Sequence, residues 1–163
     1  LTEKVNSKDV TPIIRNIDTL RRVVSDLRRQ RKRIVFTNGC FDLIHPGHVK
    51  LLRQAKSLGD ILILGVNSDA SVRKLKGPAR PILKLAERLQ VLQEFRSIDF
   101  IVPFSESTPQ KLIEQIRPDV LVKGADWSAG AIVGREFAKK VARITLVSGL
   151  STSALIARIK KKS

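Results

Sequence analysis

The apolar positions of this chain fall into two rhythms that take turns along its length. Ile17, Leu20, Val23, Val24 and Leu27 recur at three- and four-residue spacing, which marks one face of an amphipathic helix over 17–30, with Asn16 or Asp18 able to cap its start. The run Arg28-Arg29-Gln30-Arg31-Lys32-Arg33 then sets cations at the negative end of the helix dipole. Ile34-Val35-Phe36-Thr37, β-branched and aromatic, reads as a buried strand. Helical spacing resumes within 47–58 in Val49, Leu51, Leu52, Ala55 and Leu58, and Gly59 stops it. Ile61-Leu62-Ile63-Leu64-Gly65-Val66 is apolar on both faces and too short for a helix, as a strand of a parallel sheet covered on both sides should be.

The second half repeats the alternation. Residues 70–81 are basic and punctuated by Gly77, Pro78 and Pro81, which predicts a loop, and 83–95 is helical again. Residues 98–102 predict a third strand, 108–116 a short helix with Pro109 in its first turn, 120–122 a fourth strand and 144–147 a fifth. Ser151 is placed to cap a last helix over 154–159.

Strands alternating with helices imply an α/β fold, a Rossmann-like, doubly wound, five-stranded parallel sheet with helices on both faces. In such a sheet the ligand lies beyond the carboxyl ends of the strands, near the point where strand order reverses. The segments after strands one (38–48), two (67–80), four (123–127) and five (148–153) are therefore expected to surround one site. Residues 1–32 form a helical extension, either folded back on the sheet or part of an interface, and residues 33–163 form the domain that carries the site.

A hydrophobic fraction of 42% over 163 residues suits one globular core. No apolar run reaches the roughly 18–20 residues of a membrane span, and Leu1-Thr2-Glu3-Lys4 lacks the basic-then-apolar order of a signal peptide, so a cytoplasmic protein without membrane contact is expected. The single cysteine, Cys40, excludes an intramolecular disulfide and a cysteine-rich metal site. A formal charge of +16, spread along the chain, attracts phosphates of every kind. Aromatic residues are only 4%, with no Tyr and one Trp; so few stacking platforms disfavour a nucleic-acid partner.

Neither GxxxxGK[ST] nor GxGxxG occurs. In Thr37-Asn38-Gly39-Cys40-Phe41-Asp42-Leu43-Ile44-His45-Pro46-Gly47-His48, however, a strand runs through a glycine-bearing loop into a helix. Free backbone N–H groups at that helix start, with its dipole, predict an anion site, and two imidazoles three residues apart can both donate to one phosphate.

His45-Pro46-Gly47-His48 matches the HxGH motif, and on it the chain resembles the cytidylyltransferase-like nucleotidyltransferases. Gly39-Cys40-Phe41-Asp42 is the form found in that family's sugar- and alcohol-phosphate branch. The stretch from Val66-Asn67-Ser68-Asp69 to Arg80-Pro81 is similar to that of the bacterial heptose 1-phosphate adenylyltransferases, which make ADP-heptose for the lipopolysaccharide core. Leu121-Val122-Lys123-Gly124-Ala125-Asp126-Trp127 resembles their VKGGDY segment, and Gly149-Leu150-Ser151-Thr152-Ser153 resembles the GxST motif. Two details bear on the nucleotide. Asp126-Trp127 is reminiscent of the glycerol-phosphate cytidylyltransferases, whereas Leu146-Val147 stand where those carry Arg-Thr, and this favours ATP over CTP.

The resemblance implies transfer of AMP from ATP to heptose 1-phosphate, with pyrophosphate leaving and a homodimer possible. His45, His48 and Lys76 would act on the phosphates, joined by Lys74 and Arg88. Thr37, Asn38, Gly39, Cys40 and Phe41 would line the nucleotide from the first loop, Lys123, Gly124 and Asp126 from the fourth strand, and Ser151, Thr152 and Ser153 from the last helix. Asp42, Asn67, Asp69, Arg80 and Trp127 would face the acceptor. No metal ligands are implied, because Mg²⁺ arrives on the oxygens of the triphosphate. Each role has a plainer counterpart. Lys74 and Lys76 could be solvated lysines, Arg88 half of a helix-surface pair with Glu87, Asp42 and Asp126 turn formers, and Cys40 a small loop residue; Ser151 and Thr152 begin a helix in either case.

Overall fold

The computed structural model describes residues 10–124, 132–145 and 151–161. Its five strands are β1 (Ile34–Gly39), β2 (Ile61–Asn67), β3 (Phe100–Phe104), β4 (Val120–Gly124) and β5 (Lys140–Ile144). They lie in the order β3-β2-β1-β4-β5, every pairing parallel. The chain thus winds outward from β1 in one direction, returns, and winds outward in the other, so the order reverses between β1 and β4.

The helices are α1 (Ile17–Arg29), α2 (Pro46–Lys56), α3 (Asp69–Lys76), α4 (Leu85–Gln93), α5 (Gln110–Ile116) and α6 (Thr152–Lys160). Alternation along each strand sends side chains to two separate cores. Val35, Leu62, Leu64, Val66, Val120 and Val122 meet Leu51, Leu52 and Ala55 of α2 and Leu89 and Leu92 of α4. Ile34, Phe36, Ile63, Val102 and Leu121 meet Leu20, Val24 and Leu27 of α1 and Leu112, Ile113 and Ile116 of α5. Gly65 makes room in the second core, since a Cβ there would stand 2.9 Å from Cζ of Phe36. Helix α1 therefore folds back on its own sheet: Asn16 caps it by accepting the Asp18 N–H at 2.8 Å, and Arg28 at its end donates to the Ile116 carbonyl at 2.9 Å.

Four expectations need correction. Residues 69–76 form helix α3 rather than a loop, because Ser68 caps it by accepting the Ser71 N–H, Asp69 lies at the positive end, Arg73, Lys74 and Lys76 suit the negative end, and Gly77 at φ +95° ends it. β3 starts two residues later than expected: the Ile98 N–H bonds to Phe95 in the turn after α4, and the Asp99 carboxylate accepts the Leu62 N–H at 2.7 Å. β5 lies earlier, at Lys140–Ile144 instead of 144–147, an outer strand whose exposed Lys140 and Arg143 hide its alternation; 146 and 147 fall outside the described residues. Pro109 is the N-cap of α5 and not part of its first turn. Outside β3, Ile13 forms one further parallel bridge with Ile101, secured by the Ile14 N–H to the Ile101 carbonyl at 2.8 Å. Among the described residues no helix is long and apolar enough to cross a membrane.

Candidate active site

The crest of the sheet opens where the order reverses. β1 and β4 share only two registered pairs, Val35 with Val120 and Phe36 with Leu121, and beyond them side chains take over from the ladder. Thr37 donates its hydroxyl to the Val122 carbonyl at 3.1 Å, and Lys123 donates its ammonium to the Asn38 side-chain oxygen. Burial brings the Lys123 ammonium down to about 8.

From this crest the chain turns sharply into α2. Phe41 adopts a left-handed backbone, φ 46°, which a bulky residue holds only when its surroundings impose it. Its ring is buried, and Gly39 leaves room for it: a Cβ at that glycine would lie 3.0 Å from the phenyl ring. The ring rests 4.9 Å from that of His48, tilted by 43°, and His48 in turn stacks on His45 with centroids 3.8 Å apart.

The first turn of α2 is closed by the protein itself. Pro46 has no N–H, the Gly47 N–H donates to Nδ1 of His45 at 3.2 Å, and the His48 N–H donates to the His45 carbonyl at 2.9 Å. The backbone donors of the expected anion site are therefore largely occupied from within, which leaves the imidazole N–H groups as donors at the mouth of α2. Because Nδ1 of His45 accepts a hydrogen bond, the proton of the neutral ring resides on Nε2, which is its free donor. Burial holds His45 below its ordinary value, and burial together with His45 brings His48 down to about 4. Both rings are neutral donors at pH 7. Nδ1 of His48 is buried and has no hydrogen-bond partner among the described residues.

The other expected residues divide into two groups. In the loop between β1 and α2 lies Cys40, whose thiol is pushed up by burial against the pull of Lys76, Arg88 and Arg80, and the Thr152 hydroxyl donates to the Leu43 carbonyl of the same loop at 3.4 Å, tying the start of α6 to it. Ser151 caps α6 through the Ala154 N–H at 3.1 Å, while Ser153, Lys74 and Lys76 are exposed. Gly124 ends β4.

The second group is engaged with partners inside the protein. Asp42 is fully buried; one carboxylate oxygen takes Nε of Arg80 at 2.6 Å and the other takes the N–H groups of Ile82 and Leu83. Burial alone would raise it, but the Leu83, Ile82 and Arg80 bonds hold its carboxyl below the ordinary range. Arg88 makes no pair with Glu87, which instead accepts the Lys84 N–H; its own guanidinium is wholly buried and reaches Asp69 at 2.8 Å. Asn67 is buried and donates to Ser71 at 2.9 Å. Asp126 and Trp127 lie outside the described residues. Phe41 and Arg88 were both expected at the site, but no motif reveals the left-handed backbone of the first or the burial of the second, although Arg88 does fall on the apolar stripe Leu85, Leu89 and Leu92, where a cation calls for an internal partner.

The cytidylyltransferase-like family matches residues 36–161. Two curated relatives, each named Bifunctional protein HldE, are 48% identical over 147 residues in a Nitratiruptor species and 49% identical over 150 residues in Syntrophotalea carbinolica. Each match covers 90% of this chain, and the chain spans about a third of those proteins, 32% and 31% respectively. Among solved structures, a lipopolysaccharide core biosynthesis protein from Thermoplasma volcanium superposes with a TM-score of 0.60 at 26% identity, over 72% of this chain and 99% of that one. A pantoate-beta-alanine ligase from Francisella tularensis also reaches 0.60 over 94% of this chain and 80% of that one, but at 15% identity it speaks for the fold alone. The chain belongs to the cytidylyltransferase-like family.

Proposed function

We propose that the chain transfers AMP from ATP to a heptose 1-phosphate, giving ADP-heptose and pyrophosphate for the lipopolysaccharide core in the cytoplasm. The observation that carries this reading is the pair of neutral, stacked imidazoles at the mouth of α2, with the Nε2 donor of His45 left free by the Gly47 N–H. The relatives named HldE and the Thermoplasma protein of lipopolysaccharide core biosynthesis support the choice of acceptor.

A sugar 1-phosphate with second pKa near 6 is mostly dianionic at pH 7, so no general base is needed. One of its oxygens attacks the α-phosphorus of ATP, a new P–O bond forms, and the bond from the α-phosphorus to its bridging oxygen breaks as pyrophosphate leaves with that electron pair. The protein's part is to align two anions and to stabilise charge as it moves onto the leaving group. His45 and His48 donate at the α- and β-phosphates, Lys74 and Lys76 neutralise the outer phosphates, and Mg²⁺ enters as part of the nucleotide substrate. The α6 start carries Ser151 and Thr152 to the same side.

The test pairs each nucleotide with each acceptor: purified protein with ATP or CTP and with heptose 1-phosphate or glycerol 3-phosphate, read as released pyrophosphate. Turnover with ATP and heptose 1-phosphate is expected. Turnover with CTP and glycerol 3-phosphate, and none with the first pair, would replace the adenylyltransferase reading with a cytidylyltransferase one.

A further inference from the structure

Among the described residues Arg88 is the one arginine whose side chain is wholly buried, 0% exposed, and it lies one layer beneath the crest. Its nitrogens reach three segments at once. Nε donates to the Leu83 carbonyl at 3.1 Å just before its own helix, Nη1 to the Cys40 carbonyl in the loop after β1, and Nη2 to the Asp69 carboxylate at the start of α3. A planar guanidinium can hold three acceptors in fixed directions, which the single ammonium of lysine cannot do.

Each of those acceptors leads to the site. The Cys40 carbonyl belongs to the peptide that enters Phe41, whose left-handed backbone needs an external hold, and the Phe41 ring is in contact with His48. Asp69 opens the helix whose last turn carries Lys74 and Lys76, and the charge of Lys76 is felt at the Cys40 thiol. Beside this cluster, the buried Asp42–Arg80 pair fixes the segment running into α4 through Ile82 and Leu83. The loop after β1, the loop after β2 and the start of α4 are therefore joined at one buried cation that has no exposed surface to offer a nucleotide.

We propose that Arg88 is a positioning residue: by holding the Cys40 carbonyl and Asp69 together it keeps Phe41 seated on His48, and so sets the angle at which His48 meets the phosphates. This rests on the reading of His48 as a phosphate donor given above. It assigns Arg88 an action through Phe41 and none on the nucleotide itself.

The experiment is a double-mutant cycle of Arg88→Lys and Phe41→Leu, followed by steady-state pyrophosphate release and by NMR titration of the imidazole protons. The chain has two histidines, and a His45→Asn protein assigns them. Arg88→Lys is expected to lower kcat roughly 10- to 100-fold, as a displaced donor does, with KM for ATP changed less than about threefold. Because both changes act through one contact, the double variant should be little worse than the poorer single one. In the titration, His48 starts at about 4 and should move up towards its ordinary value as the Phe41 ring loosens. Thermal melting of each variant accompanies the cycle, and should Arg88→Lys fail to fold, Asp69→Asn, which weakens the same brace from its half-buried partner, takes its place. Multiplicative losses in the double variant, a raised KM at unchanged kcat, or a His48 titration that stays put in a folded variant would each overturn the proposal. The titration needs no turnover. A wild-type chain inactive on every substrate pair, with His48 still shifting on Arg88→Lys, would sink the functional reading and leave the brace standing.

Discussion

His45 performs two tasks with two ring nitrogens, and one substitution separates them. Nδ1 accepts the Gly47 N–H at 3.2 Å and so caps α2, while Nε2 carries the proton that the proposed function directs at the nucleotide. Asparagine is among the best N-cap residues, because its side-chain oxygen accepts the same type of N–H. With that oxygen occupied, the amide nitrogen ends short of where Nε2 stands. His45→Asn should therefore keep the cap and lose the donor. The capping part is worth about 1 kcal/mol, which for a chain of this length is roughly 2–4 °C in melting temperature. Loss of a preorganised donor to the reacting phosphates corresponds to ~10²- to 10³-fold in kcat, about 3–4 kcal/mol of transition-state stabilisation. His45→Ala should lose both, and His45→Asn only the second. Pyrophosphate release and thermal melting, run on the same preparations, decide the matter. If His45→Asn retained activity within about threefold of wild type, or melted as low as His45→Ala, the division of labour between the two nitrogens would be wrong.

Two further outcomes follow from the shifted groups. His48 titrates near 4 when folded and near 6.5 when unfolded, so its contribution to stability is complete above about pH 6.5 and is lost as the pH falls towards 4; at about 1.4 kcal/mol per pKa unit this amounts to as much as ~3 kcal/mol. Melting curves across that range should show a steeper acid fall for wild type than for His48→Gln, and equal slopes would remove the basis for a buried neutral imidazole. Lys123, brought to about 8 by burial, is harboured as a cation below that pH, so Lys123→Met should melt higher than wild type at pH 7. The gap should narrow from pH 8 towards the ordinary lysine value as wild type gains stability, and a gap that stays constant with pH would mean the ammonium is solvated.

Much of the fold was legible because its inner strands are doubly covered: Ile61 to Val66 is apolar on both faces, and only a buried parallel strand has use for that pattern. β5 was not, since an outer strand carries Lys140 and Arg143 where an inner one would carry valine. α3 was missed because its basic character suggested a loop, although Ser68 and Gly77, its cap and stop, stand at the expected offsets. At the site, the histidines announce themselves through spacing. Asp42 and Arg80 do not announce themselves as partners, being 38 residues apart. Nor does periodicity reveal that the Gly47 N–H and the Pro46 ring close the helix mouth, because that depends on how the His45 side chain turns back on its own helix.

The Ile13 bridge has a consequence for how copies of the chain can meet. It lies along the free side of β3, whose Pro103 lacks a donor in any case, while the opposite border of the sheet presents Lys140 and Arg143 to solvent. On the β3 border the Ile13 bridge already takes up part of the row of amides and carbonyls that a sixth strand would need. A second copy that added a strand beside β3 would first have to displace the Ile13 bridge and the Ile14-to-Ile101 bond, so fusing two sheets at that border carries a cost that a helix-to-helix contact does not.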